Sequence, residues 1–293
     1  MQNKHIEHIE DTILTGDLSA IETLFNPHHI SVKMDGSPAI VWGTNPATGK
    51  FFVGTKAVFN KKKIRIAHSH EEIDLHYEDA VAEILHDCFE YLPRTDAIYQ
   101  GDFIGFGGSN VYDPQLISYH FPEVINQAIV IAPHTFYAEG NDLREVVAFP
   151  ILQMFEDTEN VKWIQPSVDR VCGNTSAPSV NVENIQFLTE KEVQERKKSI
   201  NFCIREGIPL TDETLTSILG CNHLTNLYQM VIEMKEEFID SLIIHDAPTA
   251  YINGLKVKQE GFIISDESGK MIKLVDREVF SSANFNQIKK WAN

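Results

Sequence analysis

Apolar residues at Ile6, Ile9, Ile13 and Leu14 recur near helical spacing, and Gly16-Asp17 ends that pattern. Asp17 then stands where a side-chain oxygen can cap a second helix carrying Leu18, Ile21 and Leu24. Further on the period shortens to that of strands, in Ser31-Val32-Lys33, Ala39-Ile40-Val41-Trp42 and Phe51-Phe52-Val53-Gly54. The last two runs flank Asn45-Pro46-Ala47-Thr48-Gly49, whose turn chemistry predicts a hairpin. Residues 71–92 return to helical spacing, with Ile73, Tyr77, Val81, Ile84, Leu85 and Phe89 on one face. Strands are expected again at 97–106, 129–137 and 146–155.

From 156 to 245 the texture changes. Residues 190–205 and 224–243 read as charged, amphipathic helices, with Thr211-Asp212-Glu213 opening a shorter one between them. Strand-like runs return at 254–257, 261–265 and 271–275, with a turn at 266–269. No internal repeat is visible. The expected organisation is α+β: residues 1–155 and 246–293 form one domain that opens with N-terminal helices (1–27), and 156–245 form a mostly helical insertion.

A chain of 293 residues can bury one large core or two smaller ones. No apolar run approaches the length of a membrane span, and Met1-Gln2-Asn3-Lys4-His5 does not open a signal peptide, so a cytoplasmic protein without a membrane partner is expected. Cys88, Cys172, Cys203 and Cys221 form no C-x-x-C pair and read as reduced thiols. The formal charge of −17 argues against a broad electrostatic grip on long duplex DNA. A local basic groove stays open, because Lys56, Lys61, Lys62, Lys63 and Arg65 form the densest cationic stretch.

The candidate chemistry begins at Lys33-Met34-Asp35-Gly36, directly after a short apolar strand. An amine held at a strand-to-turn junction can be aligned with an α-phosphate and its leaving pyrophosphate. Three later elements complement it. Gly54-Thr55-Lys56 ends a strand with a hydroxyl and a cation. Asp102 and Glu260 are lone acids in otherwise apolar runs, and Lys270 and Lys273 return positive charge soon after Glu260. A buried carboxylate is costly unless paired or metal-bound, so a divalent cation with a triphosphate would satisfy both acids.

In that order these elements resemble the covalent nucleotidyltransferase superfamily of polynucleotide ligases and mRNA capping enzymes. Lys33-Met34-Asp35-Gly36 resembles its nucleotidyl-lysine motif, with Ser37 closer to RNA ligases than to typical DNA ligases. Thr55-Lys56, Gly101-Asp102, Glu260-Gly261-Phe262-Ile263 and Lys270/Lys273 resemble its later motifs, and Pro133-His134-Thr135-Phe136-Tyr137 corresponds to the stretch that sets an aromatic, here Tyr137, against the base. More narrowly, residues 5–155 and 250–285 resemble ligase-like proteins of large tailed phages. The resemblance implies a nucleotidyltransferase (ATP-grasp-like ligase) domain of packed antiparallel sheets. It implies Lys33 as the nucleophile, and Asp35, Gly36, Lys56, Asp102, Tyr137, Glu260, Lys270 and Lys273 around the nucleotide. It further implies ATP, Mg2+ (or Mn2+) at Glu260 and Asp102, and nucleic acid ends, RNA above all, as acceptors.

The chain departs from that pattern in places. Asp102 replaces the more usual glutamate, and the last motif reads K-x-x-K rather than K-x-K. Residues three apart on a strand face opposite sides, which favours Lys273 over Lys270, with Lys258 as a further source of charge. The chain ends soon after the last motif, so no C-terminal OB domain is expected, which favours the RNA-ligase branch. Capping-type transfer, AMP transfer to a protein or small molecule, and a non-catalytic phage binding protein that kept the fold are the alternatives. His68, His70, Glu71, Asp74 and His76 are dense enough to weigh as a metal site, but helical placement scatters them. His5 and His8 read as packing residues, and Gly105-Phe106-Gly107-Gly108 as a flexible turn.

Overall fold

The computed structural model describes residues 6–171 and 177–281; Cys172 and His5 fall outside them. It is α+β, with seven α-helices among the described residues and several largely antiparallel sheets. The chain divides into two compact units. One comprises Lys33–Ser167 and His245–Gln259; the other comprises Ile6–Val32, Val168–Ile244 and the chain from Glu260 onward.

The first unit is built on a six-stranded sheet. Its strands run in the order Val161–Trp163, Ile129–Ala138, Ile98–Phe106, Ala39–Thr44 and Phe51–Thr55, with Val147–Pro150 also pairing with Ile129–Ala138. All pairs are antiparallel except the first. The expected hairpin is present: Ile40 pairs with Thr55 and Thr44 with Phe51, and Asn45 Oδ1 accepts from the Ala47 amide in the turn. Side chains alternate across the sheet. On one face Ile40, Trp42, Val53, Phe103 and Ile131 pack with Ile73, Tyr77, Ile84, Leu85 and Cys88 from the helical segment. Each such side chain contributes about 1.5–3 kcal/mol on burial. On the other face Val41, Phe52, Ile98 and Tyr137 pack with Val58, Leu143 and Val146.

The expected helix at 71–92 is two helices, His70–His76 and Asp79–Tyr91. The chain is extended at Tyr77 and Glu78, and Asp79 takes a left-handed φ of 51°. The apolar periodicity survives the break because Ile73, Tyr77 and Ile84 still reach one core. The strand expected at 146–155 shortens to Val147–Pro150. A second sheet, Leu255–Val257, Thr249–Ile252, Ser118–Ile125 and Ser109–Tyr112, is antiparallel throughout. Its 109–125 part was not foreseen, because its polar, proline-containing sequence carries a weak alternation.

The second unit holds a sheet in the order Glu7–His8, Met271–Val275, Gly261–Ser265 and His29–Lys33, whose last residue begins the first unit. Helix Glu190–Arg205 opens on a capping box of Thr189 and Glu192, and Thr211 caps Asp212–Leu219. The helix Asn222–Asp240 follows. These helices do not stand apart as the expected insertion at 156–245. They form one unit with the N-terminal segment and the last strands, joined by the Leu188 amide to the Leu14 carbonyl and by a buried ionic network. In that network Arg277 donates to Asp11 at 3.0 Å and to Asn201 at 2.6 Å, and Lys235 lies 3.4 Å from Glu10. Glu10 and Asp11 are buried with Arg277 and Lys235, so these acids belong to the core. Among the described residues no helix is long and apolar enough to cross a membrane.

Candidate functional site

Lys33 is the last residue of the strand His29–Lys33, and the chain leaves the strand there. Two residues on, Asp35 is buried. Its Oδ2 accepts from the amides of Leu116 (3.0 Å) and Ile117 (3.3 Å), and its own amide donates to the Tyr119 hydroxyl at 2.6 Å. Burial pushes the Asp35 carboxyl above its ordinary range; the Lys33 ammonium and the two amides pull it back, and Asp102 pushes it up again. Gly36 lies against the strand Ile98–Phe106 with no room for a side chain. A Cβ there would stand 2.8 Å from Asp102 Cβ and 2.8 Å from the Phe103 carbonyl. The Ser37 amide donates to that carbonyl, and Ala39 pairs with Asp102. Residues far apart in sequence are thus locked together by backbone pairing.

Asp102 shares a strand face with Gln100. Its carboxylate accepts no hydrogen bond from a described side chain, is partly exposed, and lies 3.7 Å from His134 Nε2. Gln100 is buried and holds a small network: the Tyr137 hydroxyl donates to its Oε1 at 2.7 Å, and its Nε2 lies 3.3 Å from His134 Nε2. His134 Nδ1 is 2.7 Å from Thr135 Oγ1. Tyr137, expected against a base, is 4% exposed and packs its ring on Phe59 at 4.7 Å, and burial pushes its hydroxyl pKa up. The residue of the 133–137 stretch beside Asp102 is His134. Gln100 carried a legible signal, its period-two relation to Asp102; His134 and Tyr119 carried none.

Thr55 Oγ1 caps a short 3₁₀ turn by accepting from Ala57, and its amide donates to the Tyr77 hydroxyl. Lys56 is exposed on that turn, and Lys61, Lys62, Lys63 and Arg65 are exposed beyond it. The Tyr77 hydroxyl donates to the Arg65 carbonyl, tying the far end of this cationic loop to the same ring.

Glu260, Lys270 and Lys273 belong to the second unit. Glu260 is buried at the start of the strand Gly261–Ser265, and a Cβ on Gly261 would meet the Leu274 carbonyl at 2.1 Å, so only glycine fits there. Lys273 pairs across the sheet with Ile263 and His8, and burial followed by the positive charges of Arg277 and Lys273 holds His8 neutral. Lys270 is committed elsewhere: its Nζ donates to Asp17 at 2.7 Å and Ser19 at 2.9 Å. Lys258 is exposed and lies in the first unit.

Lys33, Asp35, Gly36 and Asp102 therefore come together within one unit, and Glu260, Lys270 and Lys273 belong to the other. Among the described residues no three His, Cys, Asp or Glu converge on a single metal position. Asp102, a carboxylate that accepts no hydrogen bond from a side chain among the described residues, fits a ribose hydroxyl or a hydrated divalent cation. Residues 3–214 and 217–289 match the DUF6267 family, a family of unknown function, and the chain belongs to it. No curated protein matches the chain, and neither does any solved structure.

Proposed function

We propose that this member of the DUF6267 family is an ATP-dependent polynucleotide ligase acting on RNA ends through a covalent lysyl-AMP at Lys33. The observation that carries this reading is the packing of Gly36 on Asp102, which joins the lysine-bearing turn to the acid sixty-six positions away in sequence. It gives the turn a fixed geometry beside a carboxylate that accepts no hydrogen bond from a side chain among the described residues. In the first step Lys33 Nζ, unprotonated, forms a bond to the α-phosphorus of the nucleotide as the bond to pyrophosphate breaks. The AMP is then transferred to a 5′-phosphate end, and a 3′-hydroxyl displaces it to seal the strand. Mg2+ would supply charge stabilisation on the phosphates. Asp35 orients the turn through its bonds to Leu116 and Ile117, Asp102 addresses the sugar or a hydrated cation, and Lys56 offers a cation at the end of its strand.

Intact mass after incubation with Mg2+ and ATP or GTP tests the first step, beside a Lys33→Ala variant. An AMP adduct that is absent from the variant and reversed by pyrophosphate is the expected result. The absence of any adduct with either nucleotide, in protein first stripped with pyrophosphate, overturns the reading. Nicked RNA, nicked DNA and protein acceptors then separate ligation from other AMP transfer.

A further inference from the structure

The helices His70–His76 and Asp79–Tyr91 bring together four side chains that the function proposed above does not use. His70 Nδ1 and His86 Nδ1 stand 2.7 Å apart, with ring centroids 5.0 Å apart. His86 Nε2 lies 2.8 Å from Asp74 Oδ1, and His70 Nε2 lies 3.9 Å from Glu90 Oε2. His70 and Asp74 are spaced i,i+4 on one helix, and His86 and Glu90 likewise on the next, so each pair shares a face. The edge of Phe89 packs against the His70 ring at 5.1 Å.

A carboxylate only accepts. Asp74 therefore puts the hydrogen of His86 on Nε2 and leaves Nδ1 with its lone pair, and Glu90 biases His70 in the same direction. The His86 lone pair faces His70 Nδ1 at 2.7 Å, where it accepts a hydrogen bond when His70 carries its hydrogen on Nδ1 and shares a cation with His70 when both rings carry it on Nε2. A carboxylate on the far nitrogen is also how metal-ligating imidazoles are oriented and made more basic.

We propose that His70 Nδ1 and His86 Nδ1 are the protein ligands of one borderline transition-metal ion, Zn2+ or Cu2+, with Asp74 and Glu90 orienting the rings and water completing the coordination. Imidazole nitrogens suit these ions, whereas Mg2+ takes oxygen ligands. Two nitrogens each about 2.0–2.1 Å from a tetrahedral ion stand about 3.4 Å apart, so the rings part by less than about 1 Å. Side chains 47% and 30% exposed have room for that. The ion joins the two helices across their break at Tyr77-Glu78.

The test is calorimetric titration of the tag-free full chain with Zn2+ and with Cu2+, in buffer free of nucleotide. One site per chain is expected. It is lost in His70→Gln and in His86→Gln and retained in His76→Gln, and Asp74→Asn weakens it by about tenfold or more. Far-ultraviolet dichroism checks that each variant keeps its helices. The electron paramagnetic resonance of Cu2+ on the unaltered protein is expected to show coupling to two imidazole nitrogens, a readout that needs no variant. No stoichiometric uptake, uptake unchanged in the double His70→Gln/His86→Gln variant, or a copper signal without nitrogen coupling overturns the proposal. None of these outcomes touches the lysyl-nucleotide reading, which is read without these metals.

Discussion

Gly36→Ala offers the most direct perturbation of the junction between the lysine-bearing turn and the sheet. The added methyl would meet Asp102 Cβ and the Phe103 carbonyl at 2.8 Å and Ile104 Cδ1 at 3.0 Å, where ordinary contacts begin at 3.4 Å. The strand Ile98–Phe106 cannot retreat, since Ala39–Thr44 pairs on one side and Ile129–Ala138 on the other. The turn must therefore lift by 3.4 − 2.8 = 0.6 Å or more. Overpacking of this kind costs about 1–3 kcal/mol. With a urea slope of about 3 kcal/mol/M for a chain of this size, the midpoint falls by roughly 0.3–1 M. Tryptophan fluorescence, measured in a Trp291→Phe background, reads the unit concerned, because Trp42 and Trp163 stack at 5.7 Å in its core. Gly49→Ala is the comparison: its Cβ meets nothing within 4 Å, so only its φ of 67° opposes the change. That variant is expected to lose about 1–2 kcal/mol from backbone strain and to form the lysyl adduct at the native rate, whereas Gly36→Ala slows adduct formation. A Gly36→Ala protein within about 0.5 kcal/mol of the parent in stability, inside the range of an unremarkable surface change, would refute the packing argument.

Arg277→Met removes one counter-charge from Asp11 and Glu10, leaving Lys197 and Lys235 beside them, and takes the donor from Asn201, all within one buried network. A loss of about 3–5 kcal/mol is expected, read by dichroism of the second unit's helices; a loss below about 1 kcal/mol would mean that water reaches the acids. Asp35 has its folded pKa raised above the ordinary 3.8, chiefly by burial. Its contribution to stability is thus full below that value and is lost as pH rises through the folded pKa. Asp35→Asn keeps an oxygen for the Leu116 and Ile117 amides, so it is expected to be more stable than the parent at pH 7, with the gap closing toward pH 4. Melting curves across that range decide it, and a gap that widens on acidification would sink the assignment.

Local pattern determined much of this protein. The 39–55 hairpin was legible because its turn residues Asn45 to Gly49 separate two apolar runs, and the helix at 190–205 because its charged, amphipathic pattern marks it. Asp102 and Glu260 stood out in the sequence as candidates, since a lone acid in an apolar run is costly and therefore conspicuous, and Lys33, Asp35 and Gly36 stood out by their K-x-D-G spacing. Tertiary structure alone decided which of these meet. Backbone pairing of Ala39 with Asp102 brings Gly36 onto the central strand, and no sequence period records a pairing across that separation. It also decided the fates of residues whose type allows two environments: Tyr137 went into the core, Lys270 to Asp17, and Glu10 and Asp11 inside with Arg277 and Lys235. The same holds for His70, which lacks meaning on its own helix and gains a partner only when His86 folds against it. Spacing reports the face a residue takes on its own element; what covers that face is set by the elements packed against it.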